Sequence, residues 1–188
     1  VHNLIYKHHR RERLDYIFSP MMDMLDTPLT HTRACNACPT VSATPQTVRA
    51  AFTKEQDVFS DEGIAYLNPL IDLSDRKLLA RQMHGTWGGI LGLSQEENER
   101  AIEQGFAAMA RWNRELQGEA RQVIDMLEDE QRLGIVMLGR SYHHDPWLNH
   151  GIFDEFQKLG YPVLSQNTLP FDEDLLERLF GEDVRLGR

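Results

Sequence analysis

Leu133-Gly-Ile-Val-Met-Leu138 is a continuous apolar run that ends in Gly139, as expected for a buried strand of a parallel sheet. Asp145-Pro146 then predict the cap and first residue of a helix. Tyr161-Pro-Val-Leu164 is the next short apolar run and predicts a second strand. Strand, helix and strand follow one another within about 32 residues, which is the spacing of a βαβ unit. The predicted fold class is therefore α/β.

The clearest local signal in the chain is a capping box, Ser94-Gln-Glu-Glu97. It is followed by apolar residues that recur every seven positions, at Ile102, Met109, Leu116 and Val123. This pattern predicts one helix over about 94–131, roughly 50 Å long at about 1.5 Å per residue. Such a helix is longer than a small domain is wide, so we expect it to brace two lobes. A self-associating coiled coil, and hence a homodimer, is the alternative.

The rest of the chain is predicted to form shorter elements. Thr44-Pro45 and Ser74 are typical helix starts, as cap and first-turn proline in one case and as cap in the other. We expect helices over 1–13, 44–54, 74–83 and 171–180, strands over 14–18, 57–60 and 64–67, and a loop over 21–32.

Composition excludes several classes of protein. The 188 residues carry 29 acidic and 20 basic side chains, a formal net charge of −9, and so lack the broad basic face that nucleic acid demands. No run approaches the 18 or so uninterrupted apolar residues of a membrane span, and no leader peptide is recognisable, so we expect a cytoplasmic protein. Residue 1 is Val and its helix pattern starts without a cap, from which we expect a piece cut from a longer polypeptide.

A basic cluster, Lys7-His-His-Arg-Arg11, lies at the end of the first predicted helix. Two interpretations remain open for it. It is the solvated end of a helix, or it attracts the phosphate groups of a ligand.

Cys35-Asn-Ala-Cys38 is the first candidate site. Thiolates three residues apart can bind one metal, ligate a cluster iron, or cycle as a dithiol. A thioredoxin-like motif is disfavoured, because a polar loop precedes Cys35 and the helix is not expected before Thr44. Zinc needs four ligands, and His31 is the nearest third candidate, while an iron–sulfur cluster needs more thiolates than this chain holds. Two thiols without a ligand role are the remaining interpretation.

The second candidate site is the loop Gly139-Arg-Ser-Tyr-His-His-Asp-Pro146. In an open parallel sheet, ligands bind where a strand's carboxyl end leads into a helix. Arg140 offers a planar cation for phosphate or carboxylate, and His143 and His144 can exchange protons. The glycine patterns of dinucleotide and P-loop sites are absent from the sequence. The alternative is a capped turn with surface histidines.

Three segments together resemble one known family: Asp15-Tyr-Ile-Phe-Ser-Pro20, Ala34-Cys-Asn-Ala-Cys-Pro39, and the loop from Gly139 with Asn149-His-Gly151. The chain resembles the uncharacterised domain of CoA-substrate-specific enzyme activase proteins, which is similar to the subunits of benzoyl-CoA reductase and 2-hydroxyacyl-CoA dehydratase. The resemblance covers essentially the whole chain. It implies a cytoplasmic protein of an anaerobic bacterium, with Rossmann-like lobes around a cysteine-ligated 4Fe–4S cluster.

The resemblance also implies the partners and the site residues. An ATP-dependent activase domain or subunit would supply a low-potential electron, and an acyl-CoA would be reduced or dehydrated. Cys38, and after it Cys35, would ligate the cluster together with residues outside this chain, so the isolated piece would lack the cluster. Arg140 would bind cofactor or substrate, and His143 and His144 are the catalytic candidates. The implied parts are a cysteine-containing portion over 1–93, a connecting helix over 94–131, and the start of a second Rossmann-like portion over 132–188.

Two other functions remain open at this point. The chain could be a scaffold without catalysis, whose long helix docks the activase ATPase. It could also be a structural zinc module.

Overall fold

Short strands alternate with helices throughout the fold, in a computed structural model that describes residues 1–26, 35–139, 141–170, 178–179 and 181–182. The elements, in chain order, are β1 (Tyr16–Phe18), β2 (Met21–Met24), α1 (Pro39–Thr53), α2 (Val58–Asp61), β3 (Ala65–Leu67), β4 (Leu70–Asp72), α3 (Arg76–Leu91), α4 (Gln95–Asp129), β5 (Ile135–Met137), α5 (Ile152–Lys158) and β6 (Val163–Ser165). A π-helical turn, Leu4–His8, precedes β1, and 3-10 turns cover Ser141–His144 and Gln166–Thr168.

Every strand pair in the described residues is parallel: β1 with β3, β2 with β4, and β5 with β6. Ile17 pairs with Tyr66, and Met22 pairs with Ile71. Between these pairs the Met21 amide donates to the Pro69 carbonyl over 2.8 Å. The pairing of β1 with β3 therefore continues into the pairing of β2 with β4. Parallel neighbours need a crossover, which α1 and α2 supply. The α/β prediction is confirmed.

Four buried apolar side chains form the core beneath β1: Ile5, Ile17, Phe59 and Ile64. Ile5 is fully buried, and each of the other three is no more than 5% exposed. The ring of Phe59 stacks on Tyr66 of β3, with 4.5 Å between the centroids. This core therefore ties the N-terminal turn and α2 to the first parallel strand pair.

The capping box predicted at Ser94 is confirmed. The Ser94 amide donates to Glu97 Oε2 over 2.9 Å, and the Glu97 amide donates to Ser94 Oγ over 3.2 Å. Behind it α4 runs for 35 residues. One turn into the helix, Asn98 is 6% exposed and its side-chain amide donates to the Ala80 carbonyl of α3 over 2.8 Å. This buried hydrogen bond fixes the start of α4 against α3.

Contacts divide the chain into two compact units, built on Val1–Glu103 and on Gln104–Leu179. The division falls within α4. The predicted three-part organisation over 1–93, 94–131 and 132–188 stays a prediction. No helix among the described residues is both long and apolar enough to cross a bilayer.

The predicted start of α1 at Thr44-Pro45 is wrong. The helix begins at Pro39, whose missing amide hydrogen costs nothing in the first turn. Pro45 lies inside the helix, and its carbonyl accepts a hydrogen bond from Tyr66 Oη over 2.9 Å. The helix thus starts directly after Cys38.

Two further predictions in the first unit are wrong. Met21–Met24, expected in a loop over 21–32, is strand β2, and residues 27–32 lie outside the described residues. The strand expected over 57–60 is helix α2, because the Asp57 carboxylate accepts the Ser60 amide and caps a helical turn. Of the helix expected over 1–13, residues 2–8 are helical and the turn Leu4–His8 is a π-helix.

Helix α3 differs from its prediction at both ends. Asp75, not Ser74, is the cap, since its carboxylate accepts the amides of Lys77 and Leu78. The helix continues beyond the expected end near residue 83 to Leu91, and Gly92 ends it with φ at +65°.

The helix expected directly after Asp145-Pro146 starts later. Asp145 Oδ1 accepts the Trp147 amide over 2.9 Å and closes a local turn. His150 and Gly151 then adopt positive φ, and α5 begins at Ile152. The two strands predicted on either side, β5 and β6, form and pair in parallel. The expected burial of the first run is wrong, since Leu133, Val136 and Leu138 are 74%, 44% and 76% exposed. Most of the helix expected over 171–180 lies outside the described residues.

Replacing Ile17 by Ala should destabilise the first unit by about 2–5 kcal/mol, because it leaves a cavity between β1 and the N-terminal turn. Urea unfolding measures the loss. Leu91→Ala, at a position 60% exposed, is the control and should cost less than about 1 kcal/mol. Equal losses in both variants would contradict the described core.

The capping box should also be visible in a titration. Hydrogen bonds from Ser94 hold the pKa of Glu97 below its ordinary value. Because the folded pKa is the lower one, the ionised carboxylate stabilises the fold above the ordinary carboxyl range, and this stabilisation is lost as pH falls through the lowered pKa. Ser94→Ala keeps the backbone amide, which is the larger cause, and removes the hydroxyl, so the pKa of Glu97 should rise part of the way in an NMR titration. The pKa of Asp72, which hydrogen bonds from Ser74 lower, should stay low. An unchanged pKa at Glu97 would contradict a contribution of the Ser94 hydroxyl.

Candidate functional site

The backbone of the cysteine loop, residues 35–38, is hydrogen-bonded to the end of β2. The Leu25 amide donates to the Cys35 carbonyl over 2.9 Å, and the Ala37 amide donates to the Asp23 carbonyl over 2.8 Å. Met24 and Asn36 form an antiparallel bridge between these two bonds. Cys35 is half-buried there. The loop position of this cysteine is thus set by strand pairing.

Cys38 is the N-cap residue of α1, where its side chain makes no capping hydrogen bond to the helix, and it is exposed. Its carbonyl accepts the Ser42 amide over 3.0 Å, and the Ser42 hydroxyl donates to the Met22 carbonyl of β2. The amino end of a 15-residue helix carries partial positive charge, which stabilises a thiolate or an anionic group beside it. A thioredoxin-like dithiol has its helix at the first cysteine, whereas here the helix follows the second.

The donor set of this loop consists of two thiols. Cys35 and Cys38 are the two cysteines of the chain, whereas an iron–sulfur cluster needs three or four thiolates. In the part of the chain that the structure describes, no three His, Cys, Asp or Glu side chains converge as a metal-binding group. His31, the third zinc candidate, lies outside the described residues. Two thiols are fewer donors than a four-ligand zinc site or an iron–sulfur cluster needs.

The loop after β5 is the second candidate site, and it lies in the second unit. Gly139 follows the strand, and a Cβ atom built on it would lie 2.8 Å from His143 Nδ1, so the close approach of this imidazole requires glycine. His144 Nε2 lies 3.1 Å from Ser165 Oγ at the end of β6, and its ring contacts Phe153 of α5. Arg140 lies outside the described residues.

Two polar residues of this site, Ser165 and Gln166, were not predicted. The Gln166 side chain makes two hydrogen bonds to the peptide groups of Gly139: Nε2 donates to the carbonyl over 2.6 Å, and Oε1 accepts the amide over 3.3 Å. The Ser165 hydroxyl also accepts the Asn167 amide over 3.1 Å. One signal could have found them, since Ser165 ends β6, Gln166 follows it directly, and neighbouring parallel strands end at the same sheet edge.

The structure therefore groups the predicted residues into two separate sets. Cys35 and Cys38 share one loop in the first unit. His143 and His144 share one loop in the second unit, with Ser165 holding His144 and Gln166 holding the start of the loop. What these residues do stays a prediction.

Ser165→Ala should release His144 and uncap the turn at Gln166–Thr168. We expect a loss of stability of about 1 kcal/mol. The Nε2 resonance of His144 should shift in the NMR spectrum, while His84, whose Nε2 bonds to the Leu93 carbonyl, should keep its resonance. An unchanged His144 resonance would contradict the Ser165 contact.

Comparison with known proteins places the chain in a family. Residues 1–169 match the family model of the CoA enzyme activase uncharacterised domain. No curated protein and no solved structure is significantly similar to the chain. Because the match spans most of the 188 residues, this chain belongs to the CoA enzyme activase uncharacterised domain family.

Proposed function

We propose that this chain supplies two ligands of an iron–sulfur cluster, a 4Fe–4S cluster, in a CoA enzyme activase system. The observation that carries the proposal is the placement of Cys38, exposed at the start of α1 and three residues after the strand-bonded Cys35. Membership of the activase family supports the same conclusion. Thiolates from outside this chain would complete the ligand set.

The cluster would supply one-electron transfer at low potential. The chain's own residues would set the geometry around it. Hydrogen bonds from the end of β2 to the Cys35 and Ala37 backbone hold the loop, and the amino end of α1 would favour a thiolate at Cys38. The Ser42 hydroxyl ties the first turn of α1 to β2.

The loop after β5 would bind the acyl-CoA that accepts the electron. Arg140 would stabilise negative charge on a bound acyl-CoA, and His143 and His144 would exchange protons during its reduction or dehydration. Gln166 would keep the loop in place through its two bonds to Gly139. The electron would come from an ATP-dependent activase domain or subunit in the cytoplasm of an anaerobic bacterium.

The test is reconstitution with iron and sulfide without oxygen, in the polypeptide that contains this segment and its further thiolates. We expect a broad visible absorbance from thiolate-to-iron charge transfer, and we expect Cys38→Ala to remove most of it. Val41→Ala is the matched control, because it changes an exposed side chain in the first turn of α1 and keeps both thiols and the Ser42 hydrogen bond. Full absorbance in Cys38→Ala would contradict the assignment of Cys38 as a cluster ligand.

A scaffold without catalysis is the second candidate function. Met109 and Trp112 on α4 are 58% and 55% exposed, which suits a docking surface for an activase ATPase. On this account Cys35→Ser and Cys38→Ser would leave complex formation intact, and Trp112→Ala would abolish it. The cluster proposal expects Trp112→Ala to leave the reconstituted absorbance unchanged.

A further inference from the structure

The basic segment, residues 7–13, is a concentrated positive patch on an acidic chain. Its basic members are Lys7, His8, His9, Arg10, Arg11 and Arg13, against the one acid Glu12. With histidines neutral, residues 1–13 carry four basic groups and one acidic group, a net +3, so the remainder of the −9 chain carries −12. A local positive field of this kind attracts anions to an otherwise repulsive surface.

The segment is anchored to the core by an unusual backbone. Ile5 is fully buried, and it belongs to the π-helical turn Leu4–His8, which the His9 amide closes by donating to the Leu4 carbonyl over 2.8 Å. π-Helical turns are rare and occur frequently at functional sites. The basic side chains therefore project from a backbone that Ile5 anchors in the core of the first unit.

Hydrogen bonds also fix the turn that follows. The Arg11 and Glu12 amides both donate to the His8 carbonyl over 2.9 Å. The Leu14 amide donates to His9 Nδ1 over 2.9 Å, which leaves Nε2 as the nitrogen of His9 that can donate. The turn is thus preorganised before any ligand arrives.

Most of the positive charge in the segment is not neutralised within the described part of the chain. Lys7, Arg10 and Arg11 are exposed and form no ion pair with described residues, while Arg13 pairs with Asp15 at 3.3 Å. The negative end of a helix accounts for basic residues in its last turn, such as Lys7. It does not account for Arg10 and Arg11, which lie beyond the end of the π-helix.

We propose that the basic segment binds the phosphate groups of a nucleotide-type ligand, with the adenosine phosphates of an acyl-CoA as the source. Guanidinium groups bind phosphate oxygens through paired hydrogen bonds, and Arg10 and Arg11 present two such groups on adjacent residues. The choice of an acyl-CoA as the source rests on the proposed function. ATP offers the same chemistry and is the competing source.

The experiment is calorimetric titration of the 188-residue chain with CoA, 3′-dephospho-CoA and ATP at low salt. We expect CoA to bind most tightly, and Arg10→Gln/Arg11→Gln to weaken it about tenfold or more. Arg111→Gln/Arg114→Gln removes the same charge from exposed positions on α4 and should leave CoA binding unchanged. Thermal melts of both double variants verify that the fold is kept.

Each outcome decides the proposal. Tighter binding of ATP than of CoA, with the same loss in Arg10→Gln/Arg11→Gln, overturns CoA as the source. Equal CoA affinity in both double variants, or no binding of any of the three ligands, overturns the subsite. Cys38→Ala separates this inference from the cluster proposal, because it should bind CoA normally while its reconstituted absorbance is lost.

Discussion

The parallel pairing of residues 16–24 with residues 65–72 is the constraint on which the first unit depends. Ile17 in β1 points into the core that also holds Ile5 and Phe59. A slip of one residue would turn Ile17 out of that core, because strand side chains alternate between faces. The same strand segment continues into β2, whose backbone bonds fix the cysteine loop. The register shifts by one residue between Met22 and Met24, so the position of the two thiols depends on this irregularity as well as on the pairing that buries Ile17.

Both candidate loops lie where a strand of a parallel pair ends. The cysteine loop is bonded to the end of β2, and Gly139 follows β5, while Ser165 and Gln166 stand where β6 ends. Neighbouring parallel strands bring their carboxyl ends to one edge, so polar residues distant in sequence meet there. The hydrogen bonds of Gln166 to Gly139 join residues 27 positions apart. Side chains that could hold or process a ligand are thus placed in loops at the carboxyl ends of parallel strands.

The parts of the fold that the sequence predicts correctly are mostly those marked by local sequence signals. The capping box at Ser94 and the heptad rows define α4 within one segment, and the apolar runs at β5 and β6 are recognisable without tertiary information. The start of α1 was missed because two prolines, Pro39 and Pro45, each satisfy a first-turn rule, and tertiary bonds to β2 and β3 favour the earlier one. Ser165 was missed for the same reason, since its partner His144 is 21 residues away.

The central claim is that Cys35 and Cys38 ligate iron, and differential alkylation tests it most directly. The cluster-loaded polypeptide is treated with a thiol reagent without oxygen, before and after its iron is stripped by a chelator and an oxidant. Mass spectrometry then gives the alkylation rate at each cysteine. We expect both thiols to be protected while iron is bound and to react once it is removed, with Cys38, exposed at the start of α1, showing the larger change. If each cysteine were alkylated at the same rate with iron bound as without it, the result would contradict the account.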